Sequence, residues 1–424
     1  MSHRRRARGR FVRAGALLSV AALLATACGG GGGSGAASDC GKTLKLGLLT
    51  DFTGELGSFG KGSKQGFELA VKQMKSSGKL PSGWKVDTVV NDEKTDVQEG
   101  VRAATTMIKN EEVSAIIGPS SGPIVGMVKL AERSQTPIIS HFAGTVNLDR
   151  LGGEWIYRTV ASDSADGEAA AQWLRDKNED SVVLLVQNDQ STVSIAKALQ
   201  KAYESGGGKV AKVIKYNAGQ PSYQSVVQQA TSAKADGIFL AGGQESGITI
   251  LKELRNNGYP SDQVVLSADM AVPTVVKQVG GAGWANGMQA ESAQSDTSRA
   301  PYKAFAKAYK QEYGSEPGLF VSNIYDATML VGLAAVAAGS TCGSAINEEL
   351  RDVAGPGGTK VSAFTDAASA LSKDKDIDYD GASGPVDFDK SGTVAGSYAI
   401  LEVKHGKWTQ EKFYPATTFS GSGG

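Results

Sequence analysis

One serine motif in the sequence has the spacing of a catalytic nucleophile. Gly118-Pro119-Ser120-Ser121-Gly122 satisfies G-x-S-x-G, the strand-to-helix turn that presents the nucleophilic serine of α/β-hydrolases. A secreted hydrolase would use Ser120 with His405 as its base, but Pro123 stands where the nucleophile helix should begin. His405 also lies in a hydrophilic turn. In the competing interpretation, the hydroxyls of Ser120 and Ser121 and the N–H groups of the helix start hold an anion without catalysis.

An acidic run near the C-terminus has half of the pattern of a calcium loop. Residues 376–381 (DIDYDG) match the first half of an EF-hand loop, and Asp387 falls at its twelfth position. The twelfth ligand should be a glutamate, and Gly384-Pro385 interrupts the start of the exiting helix, so we interpret the run as a solvated acidic turn. Three histidines and three cysteines leave little material for a zinc site. No phosphate- or dinucleotide-binding loop has the right spacing, and we expect no metal and no cofactor.

The elements that must position these residues alternate between strands and helices. Short apolar runs predict strands over residues 44–49, 85–90, 115–117, 137–139, 182–186, 210–216, 237–240 and 264–266. Helical spacing of apolar residues predicts helices around residues 67–74 and over 97–110, 124–134, 193–205, 223–234, 248–256, 302–313 and 321–338. The C-terminal part is predicted to be rich in β-structure, at residues 386–388 and 398–403 and around Trp408.

This alternation predicts an α/β fold with parallel sheets that are covered by helices on both faces. The chain runs through the alternation twice and is too long for one sheet, so we expect two Rossmann-like lobes. In open α/β sheets, ligands bind beyond the carboxyl ends of the strands. A site between the lobes would therefore use the loops after Leu49, Ile117, Ile139, Val186, Leu240 and Leu266.

The charge balance argues against a nucleic-acid partner. The 424 residues carry 44 lysines and arginines against 44 aspartates and glutamates. Residues 1–27 hold six of the arginines and no acid, so 38 basic residues stand against 44 acidic ones in the remainder. Such an acidic protein is repelled by a phosphate backbone.

The N-terminal residues have the pattern of an export signal. Arginines precede an apolar stretch at residues 14–24, which is too short to span a bilayer. Small residues then lead to Cys28 and a Gly/Ser run, as in a bacterial lipoprotein signal, although Ala25 replaces the usual leucine. We expect residues 1–27 to be a signal peptide and residues 28–41 a tether that anchors the protein, through lipidated Cys28, to the outer face of the cell membrane. Ordinary cleavage with Cys28 uninvolved is the alternative, and Sec and twin-arginine export both stay open.

Two cysteines remain if Cys28 is lipidated. Thiols tend to oxidise outside the membrane, and Cys40 and Cys342 are then able to pair. Their disulfide would close a loop of about 300 residues and fix the start of the fold to a distant segment. Two unpaired, half-buried thiols are the alternative.

Seven short motifs follow one another along the chain, at residues 46–54, 57–60, 66–70, 117–121, 136–140, 325–327 and 381–392. Their order and spacing resemble type I solute-binding proteins, in particular the branched-chain amino-acid (leucine/isoleucine/valine) binding proteins of ABC importers. The last motif, with the pattern GxxGPxxFDxxG, accounts for the acidic turn without any metal.

The resemblance implies a hinged clamp of two lobes joined by three crossovers, near residues 159–163, 290–295 and 395–397. Such a protein is not an enzyme: it captures a small molecule and delivers it, as a monomer, to an ABC permease. A clamp that reports its ligand to a membrane receptor is the alternative. The implied bounds are 42–160 plus 294–395 for lobe one, 161–293 plus 396–414 for lobe two, and 415–424 for a disordered tail.

The resemblance also implies which residues bind an amino acid. The α-carboxylate would be held by Ser120 or Ser121 and by the segment Phe142-Ala143-Gly144-Thr145, and the α-ammonium by Asp269. Charge-assisted hydrogen bonds of this kind contribute on the order of 1.5–3 kcal/mol each. A zwitterion leaving water needs donors at one end and a carboxylate at the other.

Three more positions would shape the wall of the site. Phe59 would be an aromatic wall residue, and Ser191 and Gln244 stand where relatives place tyrosines. The pocket is therefore expected to be roomier and more polar than one for leucine or valine. The expected ligand is a small polar or larger amino-acid-like solute, or an amide.

Overall fold

The computed structural model describes residues 40–419. The predicted signal peptide, Cys28 and most of the predicted tether lie outside the described residues, as do residues 420–424.

Two mostly parallel sheets form the framework of the protein, as the sequence predicts. The strands are β1 (Thr43–Thr50), β2 (Lys85–Asp92), β3 (Ala115–Ile117), β4 (Ile138–Ser140), β5 (Ile156–Arg158), β6 (Ser181–Gln187), β7 (Lys209–Tyr216), β8 (Gly237–Ala241), β9 (Val264–Leu266), β10 (Gln289–Ala293), β11 (Thr359–Val361), β12 (Ile377–Tyr379), β13 (Tyr398–Lys404) and β14 (Lys407–Tyr414). The first sheet has the order β2-β1-β3-β4-β5 and is parallel throughout. The second has the order β14-β13-β10-β9-β8-β6-β7, in which β13 is antiparallel to both of its neighbours, β10 and β14, and the other pairs are parallel. Strands β11 and β12 form a small parallel pair.

Helices cover both sheets. They are α1 (Gly60–Ser76), α2 (Val97–Lys109), α3 (Ser121–Ser134), α4 (Leu148–Leu151), α5 (Asp163–Asp176), α6 (Gln190–Ser205), α7 (Gln224–Thr231), α8 (Gln244–Asn256), α9 (Pro273–Gln278), α10 (Ala300–Tyr313), α11 (Val321–Ala338), α12 (Gly343–Ala354) and α13 (Phe364–Leu371). We call the first sheet with α1–α4 and α10–α13 lobe one, and the second sheet with α5–α9 lobe two.

The burial of the central strands follows from this layering. Strand β8 is buried along its whole length, and β6 is buried at every residue after the first, because helices cover both faces of the sheet. Helix α11 is the central helix of lobe one and packs against α1, α12 and α13. By length and composition α11 is also able to span a bilayer, but most of it is buried inside the protein, as expected of a core helix.

The chain passes between the two sheets three times: after β5, after β10 and before β13. The passages lie beside one another. Arg158, at the start of the first passage, pairs with Thr393, just before the third, and its N–H donates to the carbonyl of Gly392 at 2.9 Å. The N–H of Gln294 in the second passage donates to the carbonyl of Ser397 in the third at 2.9 Å. Three neighbouring connections of this kind form a hinge region between the lobes.

The C-terminal part differs from its prediction in one place. Residues 386–388 do not form a strand; a single bridge pairs Asp380 with Pro385, and the following residues run as irregular chain. Proline has no N–H group to continue a ladder, so the pairing stops there although Val386 is buried. Part of the predicted tail is also in contact with lobe two, where the ring of Phe419 packs against Tyr398 and Tyr414.

A disulfide joins Cys40 to Cys342, which lie 302 residues apart. Cys40 lies three residues before the start of β1, and Cys342 is the residue before α12. The hydroxyl of Thr341 donates to the carbonyl of Cys40 at 3.0 Å, which holds the two segments together beside the bridge. The start of the fold is thereby fixed to the helical half of lobe one.

Replacing both cysteines by alanine should lower the free energy of unfolding by about 2–5 kcal/mol, because the bridge restricts a long loop in the unfolded chain. Guanidinium unfolding of the parent and of the Cys40→Ala/Cys342→Ala variant measures the difference. A reductant should lower the midpoint of the parent and leave that of the variant unchanged. A parent that unfolds at the same midpoint with and without reductant would contradict this role.

Candidate functional site

A cavity of about 390 Å³ lies between the lobes, at the carboxyl ends of strands from both sheets. Ser120, Ser121 and Phe142 line it from lobe one, and Ser191 and Asp269 from lobe two. A groove of about 420 Å³ also lies on lobe two between α5 and α6. We take the first cavity as the candidate site, because it lies where open α/β sheets bind ligands and the groove does not.

The two serines form the polar end of the cavity in lobe one. Ser120 precedes α3, gives no side-chain cap to it, and Ser121 begins it. Both side chains are more than nine-tenths buried, and among the described residues neither hydroxyl has a hydrogen-bond partner. Buried hydroxyls at a helix N-terminus are suited to bind an anion, because the positive end of the helix dipole adds to their hydrogen bonds.

A pair of buried acids that the sequence analysis missed lies behind these serines. Glu93 accepts a hydrogen bond from the N–H of Ser120 at 2.7 Å, and its carboxyl group faces that of Asp51. Burial raises the pKa of Glu93 well above its usual range and that of Asp51 to about 6. The pair therefore takes up a proton more readily than two exposed carboxyl groups would. Both follow strands, Asp51 after β1 and Glu93 after β2, and this position is the signal that could have identified them.

The predicted segment 142–145 follows β4 and is only partly exposed to the site. The Ser140 hydroxyl accepts hydrogen bonds from the N–H groups of Phe142 and Ala143, at 3.2 and 2.8 Å, and so forms the turn. Phe142 lines the cavity, whereas Ala143 is buried in the core of lobe one. Gly144 lies deeper in the cleft, and the Thr145 hydroxyl accepts a hydrogen bond from Gln190 of lobe two at 3.1 Å.

Two other predicted residues lie behind the wall. The ring of Phe59 packs against those of Phe142 and Phe320, with centroids 6.5 and 5.8 Å away, and supports Phe142 from the rear. Gln244 begins α8, and its amide donates to the carbonyl of Asp269 at 3.0 Å. Gln244 therefore positions the turn that carries Asp269 rather than lining the cavity.

Asp269 lies in a single 3-10 turn after β9, at the boundary between the main cavity and a smaller space. Burial raises its pKa to about 7, and the neighbouring carboxylates Asp189 and Asp166 add to the effect. A cation beside Asp269 would stabilise the charged form of its carboxyl group and so oppose the effects of burial and of the neighbouring carboxylates. This carboxyl group is thus suited to bind a positive group.

We call the smaller space the acid chamber; its volume is about 30 Å³. Three carboxyl groups, those of Asp163, Asp166 and Asp269, and the hydroxyls of Ser191 and Ser267 line it. Glu291 is completely buried next to Asp166, and neither oxygen of its carboxyl group has a hydrogen-bond partner among the described residues. Burial raises the pKa of Asp166 to about 6 and that of Glu291 well above its usual range. Asp163 and Asp166 begin α5, a helix that the sequence analysis missed.

The serine-hydrolase interpretation finds no support in this geometry. The hydroxyl of Ser120 is not bonded to any described base, whereas a nucleophilic serine needs one within hydrogen-bond reach. His405 lies exposed in the turn between β13 and β14 of lobe two. The buried histidine of lobe one, His141, bonds instead to Ser63 at 2.9 Å, and burial lowers its pKa to about 3.

Glu55 of lobe one crosses the cleft to the start of α8 in lobe two. Its carboxylate accepts hydrogen bonds from the N–H groups of Glu245 and Ser246, at 3.0 and 3.4 Å, and from the Ser246 hydroxyl at 2.7 Å. Helix α8 has a glycine at its N-cap, Gly243, and no side-chain cap from its own lobe. A Cβ atom on Gly243 would come within 2.6 Å of the Cβ of Glu55, so the glycine makes room for this contact. Glu55 therefore caps α8 from the opposite lobe.

The chain is similar to known proteins over most of its length. Residues 43–407 match the family model described as periplasmic binding protein. The leucine-, isoleucine-, valine-, threonine-, and alanine-binding protein of Pseudomonas aeruginosa is 22% identical over 311 residues, which cover 73% of this chain and 82% of that protein.

Solved structures with the same fold include two relevant examples. A leucine binding protein from Thermotoga maritima has a TM-score of 0.75 and 22% identity, with 88% of this chain and 98% of that chain covered. The solute binding protein of an ABC transporter from R. palustris, in complex with benzoate, has a TM-score of 0.70 and 21% identity, with 88% and 97% covered. At these identities the likeness shows the fold alone.

Without the Glu55 side chain, α8 loses the cap that lobe one provides, and such a loss costs about 1–2 kcal/mol. Because the cap exists only when the lobes are close together, we expect the separated arrangement to be more populated in the variant. Small-angle scattering of Glu55→Ala should give a larger radius of gyration than that of the parent. Glu68→Ala, on the exposed face of α1, is the control with the same charge change. Unchanged scattering in Glu55→Ala would show that the contact does not hold the lobes together.

The raised pKa of Asp269 predicts a pH dependence of stability. Its folded pKa of about 7 lies above its ordinary value of 3.8, so the folded empty protein binds this proton more tightly than the unfolded chain. The stability associated with the proton is fully present below about pH 4 and is lost as the pH rises through about 7. The other buried acids contribute the same pH dependence to the parent and to Asp269→Asn, so urea unfolding between pH 4 and 8 should show a loss that is larger in the parent by on the order of a few kcal/mol. Parallel pH profiles would contradict the assignment.

Proposed function

We propose a function from one premise: the chain belongs to the periplasmic binding protein family. Members of this family are solute-binding proteins, which are non-enzymatic transport components. We propose that this member captures a small amino-acid-like ligand between its lobes and delivers it to an ABC importer in the membrane. The observation that carries the proposal is the pairing of opposite polar ends in one cavity, with Ser120 and Ser121 at the start of α3 and Asp269 across the cleft.

The lobe-one end suits a carboxylate. The hydroxyls of Ser120 and Ser121 are buried donors without a partner among the described residues, and the N-terminus of α3 adds a positive dipole. The ligands named for two relatives have a carboxylate in common. One relative is named for the amino acids it binds and the other is in complex with benzoate, and each of these ligands carries a carboxylate.

The lobe-two end distinguishes an amino acid from an aromatic acid. Benzoate has no positive group, and it would leave the carboxyl group of Asp269 without a partner in a buried position, which costs free energy. An ammonium group there donates a charge-assisted hydrogen bond and lowers the raised pKa. We therefore propose an α-amino acid or a close analogue as the ligand.

The walls favour a polar or bulky ligand over a small aliphatic one. Phe142 and Leu56 supply an apolar surface, whereas Asn188, Gln190 and Ser191 supply amides and a hydroxyl at the lobe-two side. The Gln190 and Asn188 amides already donate to Thr145 and Asn217, so a purely aliphatic side chain would leave chiefly the Ser191 hydroxyl and the remaining amide capacity unsatisfied once the lobes exclude water.

The remaining parts of the proposal concern placement. We propose that residues 1–27 are removed, that Cys28 is lipidated, and that residues 28–41 tether a monomer to the outer face of the cell membrane, where the permease lies. The proposed lobe bounds are 42–160 plus 294–395 and 161–293 plus 396–414; they agree with the three passages of the chain between the sheets.

Mass spectrometry of ligand retained by the purified protein, followed by calorimetry with glutamine, leucine and benzoate, tests the function. Ser121→Ala and Asp269→Asn should each weaken binding of the preferred amino acid by about 10- to 100-fold, since each removes a charge-assisted hydrogen bond.

Ser372→Ala and Asp87→Asn, both exposed and outside the cleft, are the matched controls and should bind as the parent does. A protein that binds benzoate but no amino acid, and whose affinity is unchanged in Asp269→Asn, would reject the proposed ammonium site. Covalent labelling of Ser120 by a fluorophosphonate would instead support a hydrolase.

A further inference from the structure

The acid chamber holds more acceptors than one ammonium group requires. Building on the proposed function, we propose that the ligand is a diamino acid, whose second ammonium group enters the acid chamber beyond Asp269. The substrate class would then be an amino acid with a net positive charge rather than a neutral one.

Two oxygen atoms in the chamber that lack hydrogen-bond partners support this inference. Oδ2 of Asp163 and the hydroxyl of Ser267 have no hydrogen-bond partner among the described residues. Both side chains line the chamber and are more than nine-tenths buried, with 6% and 2% exposed. An ammonium group brings three N–H donors and no acceptor, so it satisfies carboxylate and hydroxyl oxygens together. Leaving either oxygen without a donor in the closed cleft is unfavourable.

The charge of the cleft supports it independently. Among the described residues, no lysine, arginine or histidine lines the main cavity or the acid chamber. The buried Arg158 is already engaged by Asp149, the carbonyls of Gly144 and Thr145, and the hydroxyl of Thr393. A neutral amino acid brings one positive charge, which Asp269 is placed to bind.

The acid chamber would still hold carboxyl groups without a counter-ion after Asp269 is paired. Asp163 and Asp166 line it and Glu291 is buried next to Asp166, and burial raises the pKa of each of the three because it disfavours their charged forms. A carboxylate buried without a counter-ion is strongly unfavourable. A second ammonium group supplies the missing counter-ion.

The size of the chamber selects the kind of cation. A volume of about 30 Å³ is room for two or three water-sized groups, since one water needs roughly 10–15 Å³ on the same measure. A primary ammonium is of that size, whereas a planar guanidinium is larger. Ornithine and lysine should therefore enter and arginine should not.

Calorimetry of the full chain with ornithine, lysine, arginine and leucine tests the inference. Ornithine or lysine should bind at least about tenfold more tightly than leucine or arginine. Asp166→Asn should weaken binding of the preferred diamino acid by about tenfold or more and change leucine binding less than about twofold. The exposed Asp87→Asn removes the same charge from the edge strand β2 and serves as the control.

A second variant keeps the test decisive if Asp166→Asn does not fold, which a thermal melt would reveal. Ser267→Ala removes one chamber hydroxyl and should weaken the diamino acid more than leucine. Leucine binding as tight as that of ornithine and lysine, or equal losses for both classes in the variants, overturns the inference and leaves the proposed function intact. Binding of no amino acid at all, with none retained by the purified protein, rejects the proposed function itself.

Discussion

The cleft between the lobes buries polar groups that the chain itself does not satisfy. Hydrogen-bond partners among the described residues are lacking for the hydroxyls of Ser120 and Ser121 on one side. On the other side they are lacking for the hydroxyl of Ser267 and for Oδ2 of Asp163. Each such group lowers the stability of the folded protein by about 1–3 kcal/mol. The apolar burial in the surrounding α/β layers is large enough to offset this loss. A ligand that supplies the missing partners recovers the cost on binding. Affinity in such a site therefore comes from buried polar groups that have no hydrogen-bond partner in the empty protein.

The architecture explains how two such surfaces meet. Parallel strands end together, so the loops after β3 and β4 in lobe one and after β6 and β9 in lobe two bring their polar residues to facing edges. The three connections between the sheets lie side by side, which permits the lobes to rotate without breaking either core. Contacts such as that of Glu55 with α8 form only when the edges approach. Ligand binding and lobe contact thus reinforce each other, because each lowers the cost of the other.

The sequence was sufficient for the framework and insufficient for the finer parts of the site. Strands 115–117 and 264–266 and helix 321–338 have the predicted bounds, because continuous apolar runs leave little choice between alternatives. Helix α5 was missed because its buried face is mostly alanine and glycine, which give a weak apolar period. The predicted strand at 386–388 failed because a buried valine next to a proline looks like a strand in the pattern alone. Gln244 and Phe59 were assigned to the wall, and only the tertiary packing places them behind it.

Residue spacing alone does not pair the buried acids, because each pair joins residues from separate elements, although the strand ends before Asp51 and Glu93 mark those two positions. Asp51 with Glu93 lies behind the anion end, and Asp166 with Glu291 lies beside the cation end. In both pairs burial raises the pKa of the carboxyl groups, but the consequences differ. Behind Ser120, a protonated Glu93 limits the negative charge that would otherwise oppose a carboxylate at the start of α3. Beside the acid chamber, a cation would stabilise the charged form of the buried Asp166. A pair of buried acids must therefore be protonated where the ligand's carboxylate binds, whereas it favours binding where the ligand is positive. Which effect a pair has depends on its position relative to the N-terminus of α3.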